Sequence, residues 1–240
     1  GGDSVERSQA IENPTMFFVT VMNESLERAG IDVSGQLVDI DDLSESEVSA
    51  IEEDAEVLFE YESVPLSEIL KLLMKRSQNL YAETMPRVIA YEKNGYGDFS
   101  DGASILKEEL EQFGLDSEDY IFRDGSGLSR YNFIAPDHLV TILKGMHHHE
   151  HSALWKSFQP IAGVDGTLSR RMRGTPAENN VRAKTGTISN VRGLSGYVTT
   201  ADGEELVFSF LVNNHSSSSR ATEDVTDGIL ALISGYSSED

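Results

Sequence analysis

Cysteine is absent from these 240 residues, so neither a disulfide nor a thiolate metal site can hold the chain, and its redox compartment stays open. No apolar run approaches the roughly 18 residues that a membrane-spanning helix needs. Basic residues are scarce, 19 against 41 acidic ones, for a net charge of −22. A phosphate backbone would be repelled rather than neutralised, and nucleic acid is not an expected partner. The acids are dispersed, with only Ser44 to Asp54 locally dense. They read as a well-solvated surface, suited to salty surroundings, rather than an interaction tail. The chain opens on Gly1-Gly2-Asp3 without a methionine, which reads as a product of processing or of expression and says nothing about export.

What is present is globular. With 39% apolar residues over 240, the chain can bury a core, as one large domain or one with a small appendage. Asn13-Pro14 is a helix start, followed by Phe17, Phe18, Val21, Met22 and Leu26 on one face and a stop at Gly30. Gln36-Leu37-Val38 is strand-like, Ser44 to Asp54 an exposed turn or short acidic helix, and alternating Val57, Phe59 and Tyr61 suggest a strand. Leu66 to Met74 reads as a helix, with a new one beginning at Ser77. Further helices are expected at Asp101 to Phe113, from Pro136, and from Thr222 to Ile233 with Val225, Ile229, Leu232 and Ile233 facing inward. Between the last two, Val181–Thr187, Leu194–Thr200 and Glu204–Asn213 form a β-meander, its last turn marked by Asp202-Gly203.

The chemistry gathers at two places. Lys184-Thr185-Gly186 opening an edge strand can offer an ammonium, a hydroxyl and a backbone that a ligand approaches closely, because glycine carries no Cβ. Ser77-Gln78-Asn79, at a junction of two helices, can supply a proton-relaying hydroxyl and an amide. Either motif alone is more simply a helix cap or an edge-strand charge that discourages aggregation. Together with an upstream Ser-x-x-Lys they are the three motifs of the penicillin-binding proteins and serine β-lactamases. One Ser-x-x-Lys occurs, Ser104-Ile-Leu-Lys107, between the other two motifs and in a helix whose Ile105, Leu106, Leu110 and Phe113 explain it as core packing.

In combination, five segments resemble the class C low-molecular-mass penicillin-binding proteins, the D-alanyl-D-alanine carboxypeptidase/endopeptidase family. They are Ile11-Glu-Asn-Pro14, Pro65-Leu-Ser-Glu-Ile-Leu70, Lys75-Arg-Ser-Gln-Asn-Leu-Tyr-Ala-Glu83, Asp124-Gly-Ser-Gly-Leu-Ser-Arg130 and Ala183-Lys-Thr-Gly-Thr187. The resemblance implies an α/β fold of the α+β type, a penicillin-binding-protein/β-lactamase-like antiparallel sheet packed against helices. Residues 1–240 would be one partial transpeptidase-like domain, incomplete in its N-terminal part, with 31–62 a remnant or edge of an inserted subdomain. The family's nucleophilic serine lies upstream of the region matched, so the chain is expected to lack its own nucleophile.

By the same resemblance, Ser77, Asn79 and Lys184 are the catalytic residues. Ser77 and Lys184 relay the proton that an attacking serine loses and the leaving amine gains, and Asn79 bonds the substrate amide. Thr185, Gly186 and Thr187 bind substrate, the threonines holding a terminal carboxylate and the Thr187 N–H supplying one oxyanion donor. Asp124 is added as a substrate-binding residue, although its glycine-rich loop also reads as a self-bonded turn. Expected partners are a peptidoglycan stem peptide or β-lactam and the N-terminal segment of the same protein, with no transmembrane segment. Family resemblance places the protein in the periplasm or on the extracellular face of a bacterium. A nucleophile-free module that binds peptidoglycan or a protein partner is the alternative. No cofactor is called for and no metal site is assigned. His147 and His151 alone of their cluster could share a helix face, and the histidines read as a helix C-terminus. Trp155 and Phe158 read as core or cleft wall.

Overall fold

The computed structural model describes residues 10–238, and its contacts group into two units, the first ending at Glu62 and the second starting at Ser63. In the first, α1 (Pro14–Arg28) starts where Asn13 precedes proline. The Asn13 side chain accepts the Met16 N–H at 2.8 Å, satisfying one of the donors a helix start leaves open. Its amide donates to the buried Asp39 at 2.7 Å. The acidic stretch is a helix, α2 (Glu45–Asp54), begun by a capping box in which the Ser44 N–H donates to Glu47 at 2.8 Å.

Two strands expected in this unit do not form. Gln36–Val38 and Val57–Tyr61 are irregular, and Val57 and Tyr61 are 77% and 90% exposed. Alternation only prepares a strand, whose N–H and C=O groups need a neighbouring ladder. Neither stretch has one among the described residues. The apolar residues Phe17, Phe18, Val21 and Met22 of α1 are likewise exposed.

The second unit opens with α3 (Leu66–Arg76) and α4 (Asn79–Asn94). Ser77 does not begin the second of these helices. It ends the first, in the left-handed region at φ 55°, with its N–H turned back to the Leu73 carbonyl. Helices commonly close in this conformation, and α4 then starts two residues later. α5 (Phe99–Glu111) is capped by Asp98, α6 (Pro136–His148) starts at its proline, and α7 (Ser152–Phe158) follows the histidines.

The sheet runs β1-β2-β3, all antiparallel, with β1 (Arg182–Ile188), β2 (Val191–Thr199) and β3 (Glu205–Asn213). Gly203, at φ +84°, makes the turn between β2 and β3, its N–H donating to Thr200 at 3.0 Å. The pairings Lys184 with Ser195, and Ser195 with Ser209, then place every other residue on the same face. On one face Ala183, Leu194, Val198 and Phe208 form the core with Leu230 of α8 (Ser219–Ser234). On the other, Tyr197 is tied to α6 and α7, donating to the Leu143 carbonyl at 2.7 Å and accepting the Trp155 N–H at 3.1 Å.

α8 packs Ile233 on the core as expected but is otherwise rotated from the face its hydrophobicity suggests. Thr222, Thr226, Leu230 and Ser234 are buried, whereas Val225 and Leu232 are 62% and 76% exposed. The rotation follows Arg171, whose guanidinium holds Asp227 at 2.5 Å and Thr226 at 3.1 Å. The Thr226 hydroxyl donates back to Glu223 at 3.0 Å, so burying threonine leaves no orphan polar group.

Candidate functional site

β1 is an edge strand whose outer side is only partly occupied. The Ala183 N–H donates away from the sheet, to Pro160 at 3.0 Å. The two-residue period of a strand therefore aims the N–H groups of Thr185 and Thr187 outward as well. Beside this edge Lys184, on the α6/α7 face, meets Ser77 from the end of α3. Its ammonium donates to the Ser77 hydroxyl at 2.7 Å and to its neighbour's carbonyl, Thr185 O, at 2.6 Å, joining residues 107 apart in sequence.

The pair is electrostatically poised. Withdrawal from water disfavours the charged amine and pulls Lys184 from its ordinary 10.5 down to about 8. A hydroxyl donates one proton and accepts others. Because Ser77 accepts from Lys184, its own O–H remains free to point elsewhere. The left-handed backbone at Ser77, costly for a residue with a Cβ, is what turns the hydroxyl off the helix end. Across the strands, Ser195 and Ser209 continue the polar row with a shared hydrogen bond of 2.8 Å. The neighbouring pair Gly186 and Gly193 carries no side chain on that face.

Strand alternation divides the remaining residues. The Thr185 and Thr187 side chains lie opposite Lys184, where they line a cavity of about 180 Å³ with Arg171, Arg192 and Thr226. The Thr185 hydroxyl donates to that of Thr167 at 2.8 Å. Lys184 and the two threonines thus share an edge rather than a face. Asn79 is exposed at the first position of α4. Asp124 is absorbed by its own loop, accepting from the Gly127 and Ser129 N–H groups at 2.6 Å each and from Asn132 at 3.1 Å. The loop in turn is fastened to α4, since Glu83 accepts the Gly125 and Ser126 N–H groups at 2.9 and 3.1 Å.

Ser104 and Lys107 have partners elsewhere. The Ser104 hydroxyl donates to Ser100 O at 2.9 Å, and the Lys107 ammonium lies 5.6 Å from the centre of the Tyr120 ring. Among the histidines, His147 shares Glu205 with Lys156, at 2.8 and 2.5 Å. Sequence reading passed over an ion pair two residues before Ser77. Lys75 donates to Gln159 O at 2.6 Å and to both Asp165 oxygens at 2.9 and 2.7 Å. A lysine in the last turn of a helix is so commonly a solvated complement to the helix dipole that nothing local marks this one.

An antiparallel sheet between helices, with a half-buried lysine–serine pair at its edge, defines the class shared by penicillin-binding proteins and serine β-lactamases. A model of the D-Ala-D-Ala carboxypeptidase 3 (S13) family matches residues 2–234, and the chain belongs to that family. It is 38% identical to a D-alanyl-D-alanine carboxypeptidase of an Actinomadura species, over 95% of this chain and 42% of the relative. With DacB of Haemophilus influenzae it shares 31% identity over 87% of its length and 42% of the relative's. The chain thus spans about two fifths of these curated relatives. The structure of H. influenzae penicillin binding protein 4 complexed with a β-lactam matches with TM-score 0.80 at 28% identity, over 92% of this chain and 52% of that one. TLA-1 extended spectrum β-lactamase, at 18% identity and TM-score 0.50, shares the fold.

Proposed function

We propose that this chain is the proton-relay and carboxylate-binding portion of a serine D-alanyl-D-alanine carboxypeptidase/endopeptidase that acts on peptidoglycan stem peptides and binds β-lactams. The acyl-accepting serine comes from polypeptide outside these residues, and the site works at the periplasmic or extracellular face of a bacterium. The observation that carries this reading is the 2.7 Å contact between the Lys184 ammonium and the Ser77 hydroxyl. A lysine lowered to about 8 holds its proton at neutral pH yet releases it at modest cost, as a relay requires. With Ser77 accepting from Lys184, the Ser77 O–H is free to give a proton to a leaving amine and to regain one from the attacking serine.

The edge of β1 suits the substrate. A terminal carboxylate lying along it meets the Lys184 ammonium from one face and the Thr185 and Thr187 hydroxyls from the other. The Thr187 N–H, aimed outward, supplies one oxyanion donor, and the amide of the acyl-accepting serine supplies the second. Packing within this chain does not require Gly186 to be bare, since an added Cβ would come no nearer than 3.8 Å to Gly193. Its lack of a side chain clears the approach to the edge. Asn79, exposed beside Ser77, reaches the substrate amide, and Asp124 contributes by shaping the loop that Glu83 fastens to α4.

The test is intact-mass spectrometry after incubation with a penicillin. The 240-residue chain alone is expected to gain no adduct, because opening the ring needs a serine oxygen that the relay does not provide. Co-expression with the relatives' Ser-x-x-Lys segment is expected to give the adduct on that segment. An adduct on the isolated chain that Ser104→Ala abolishes would place the nucleophile at Ser104. Stem-peptide binding without acylation in either preparation would instead favour a binding module.

A further inference from the structure

The serine and lysine of the site come from parts of the chain that share no element, so something must set their separation. Three consecutive residues bridge the two carriers between them. Asp165 accepts the Lys75 ammonium through both oxygens, at 2.9 and 2.7 Å, two residues before Ser77. Gly166, at φ +57°, lies so close to the end of α3 that an added Cβ would stand 2.7 Å from the Lys75 carbonyl oxygen. The Thr167 hydroxyl accepts that of Thr185, the neighbour of Lys184, at 2.8 Å.

The same segment is also stitched to β1 by backbone. The Ala162 N–H donates to Val181 O at 2.9 Å and the Ala183 N–H to Pro160 O at 3.0 Å. Asp165 keeps the segment in shape by accepting the Ile161 N–H at 2.9 Å, and Lys75 adds its bond to Gln159 O at 2.6 Å. The Lys75 side chain is only 15% exposed. A charge so placed is costly unless every donor is used, and here its bonds all go to one nine-residue segment.

We infer that Lys75 and Asp165 are positioning residues of the site, and that residues 159–167 form a splint fixing the distance between the Ser77 hydroxyl and the Lys184 ammonium. The inference rests on reading that pair as the proton relay. Removing either partner frees the last turn of α3 from β1 and lets water reach Lys184. An ion pair that only stabilised the fold would leave the Lys184 environment unchanged.

The experiment is an NMR titration of the lysine side chains in the 240-residue chain, with Lys184→Met to assign the signal. The unsubstituted protein is expected to show a Lys184 midpoint near 8. Lys75→Met and Asp165→Ala are expected to raise it by about one pH unit or more, as restored hydration would, and Asp165→Glu to return it most of the way. Asp227→Asn, which weakens the Arg171 pair, serves as a control for general destabilisation and should leave the midpoint in place. Where Asp165→Ala fails to fold, Asp165→Asn keeps the shape and one acceptor. A midpoint unmoved in folded Lys75→Met and Asp165 variants overturns the inference. A midpoint near 10.5 in the unsubstituted protein overturns instead the relay reading beneath it.

Discussion

On the α8 side of the sheet, Ala183, Leu194 and Phe208 close on Leu230 with apolar atoms. On the α6/α7 side the same strands present Lys184, Ser195, Ser209 and a bare glycine pair. The first face is tolerant of chemistry and demanding of volume, because burial is stabilised in proportion to apolar area and close packing. The second is the reverse, since its groups must each find a partner and an exact length matters less than a hydrogen bond. A single register, alternating every residue, keeps the two demands apart. Ala183 and Lys184 are neighbours in sequence and belong to different problems.

The comparison breaks hardest at Leu230. Leu230→Ala should cost about 3 kcal/mol, from lost transfer energy and the cavity left behind. Urea denaturation would read that loss, while the Lys184 titration midpoint stays where it is. A movement of both would mean that the faces are coupled through the sheet.

Next in size is the cost of burying a charge on the polar face. Lys184 ionises near 10.5 when exposed and near 8 in the fold. Below 8 both states hold the proton, and the folded state bears the full desolvation cost. Between 8 and 10.5 only the unfolded state holds it, so stability rises with pH, and above 10.5 the cost is gone. At about 1.4 kcal/mol per pH unit, the gain across that window is on the order of 3 kcal/mol. It should appear as the difference between the protein and Lys184→Met in denaturation curves taken from pH 7.5 upward. Parallel curves would show that the amine is hydrated.

A smaller effect is expected at Ser77, whose left-handed backbone carries strain. Ser77→Gly relieves the left-handed backbone and should leave the protein as stable or up to about 1 kcal/mol more so, while Ser77→Ala keeps the strain. Thermal denaturation of both variants separates backbone from hydroxyl. The least effect sharpens the orientation of α8: Val225→Lys should change stability by no more than about 0.5 kcal/mol, although periodicity alone makes it a core position. A loss of several kcal/mol there would return Val225 to the interior.

From the sequence alone came the β-meander, the helix starts at Asn13-Pro14 and Pro136, and the meeting of Ser77 with Lys184. These depend on turn chemistry, capping and side-chain type, which are local properties of a few adjacent residues. Four things only the tertiary structure decided. The stretches at Gln36 and Val57 stay irregular because a strand is completed by a neighbour, and a pattern cannot supply one. α8 turns Thr222 and Thr226 inward because Arg171, far away in sequence, holds Thr226 and Asp227. Ser77 ends a helix instead of starting one because Asn79 takes over the next. The partnership of Lys75 with Asp165, 90 residues on, has no local mark at all: an ion pair is a fact about distance in space, and the chain records only order.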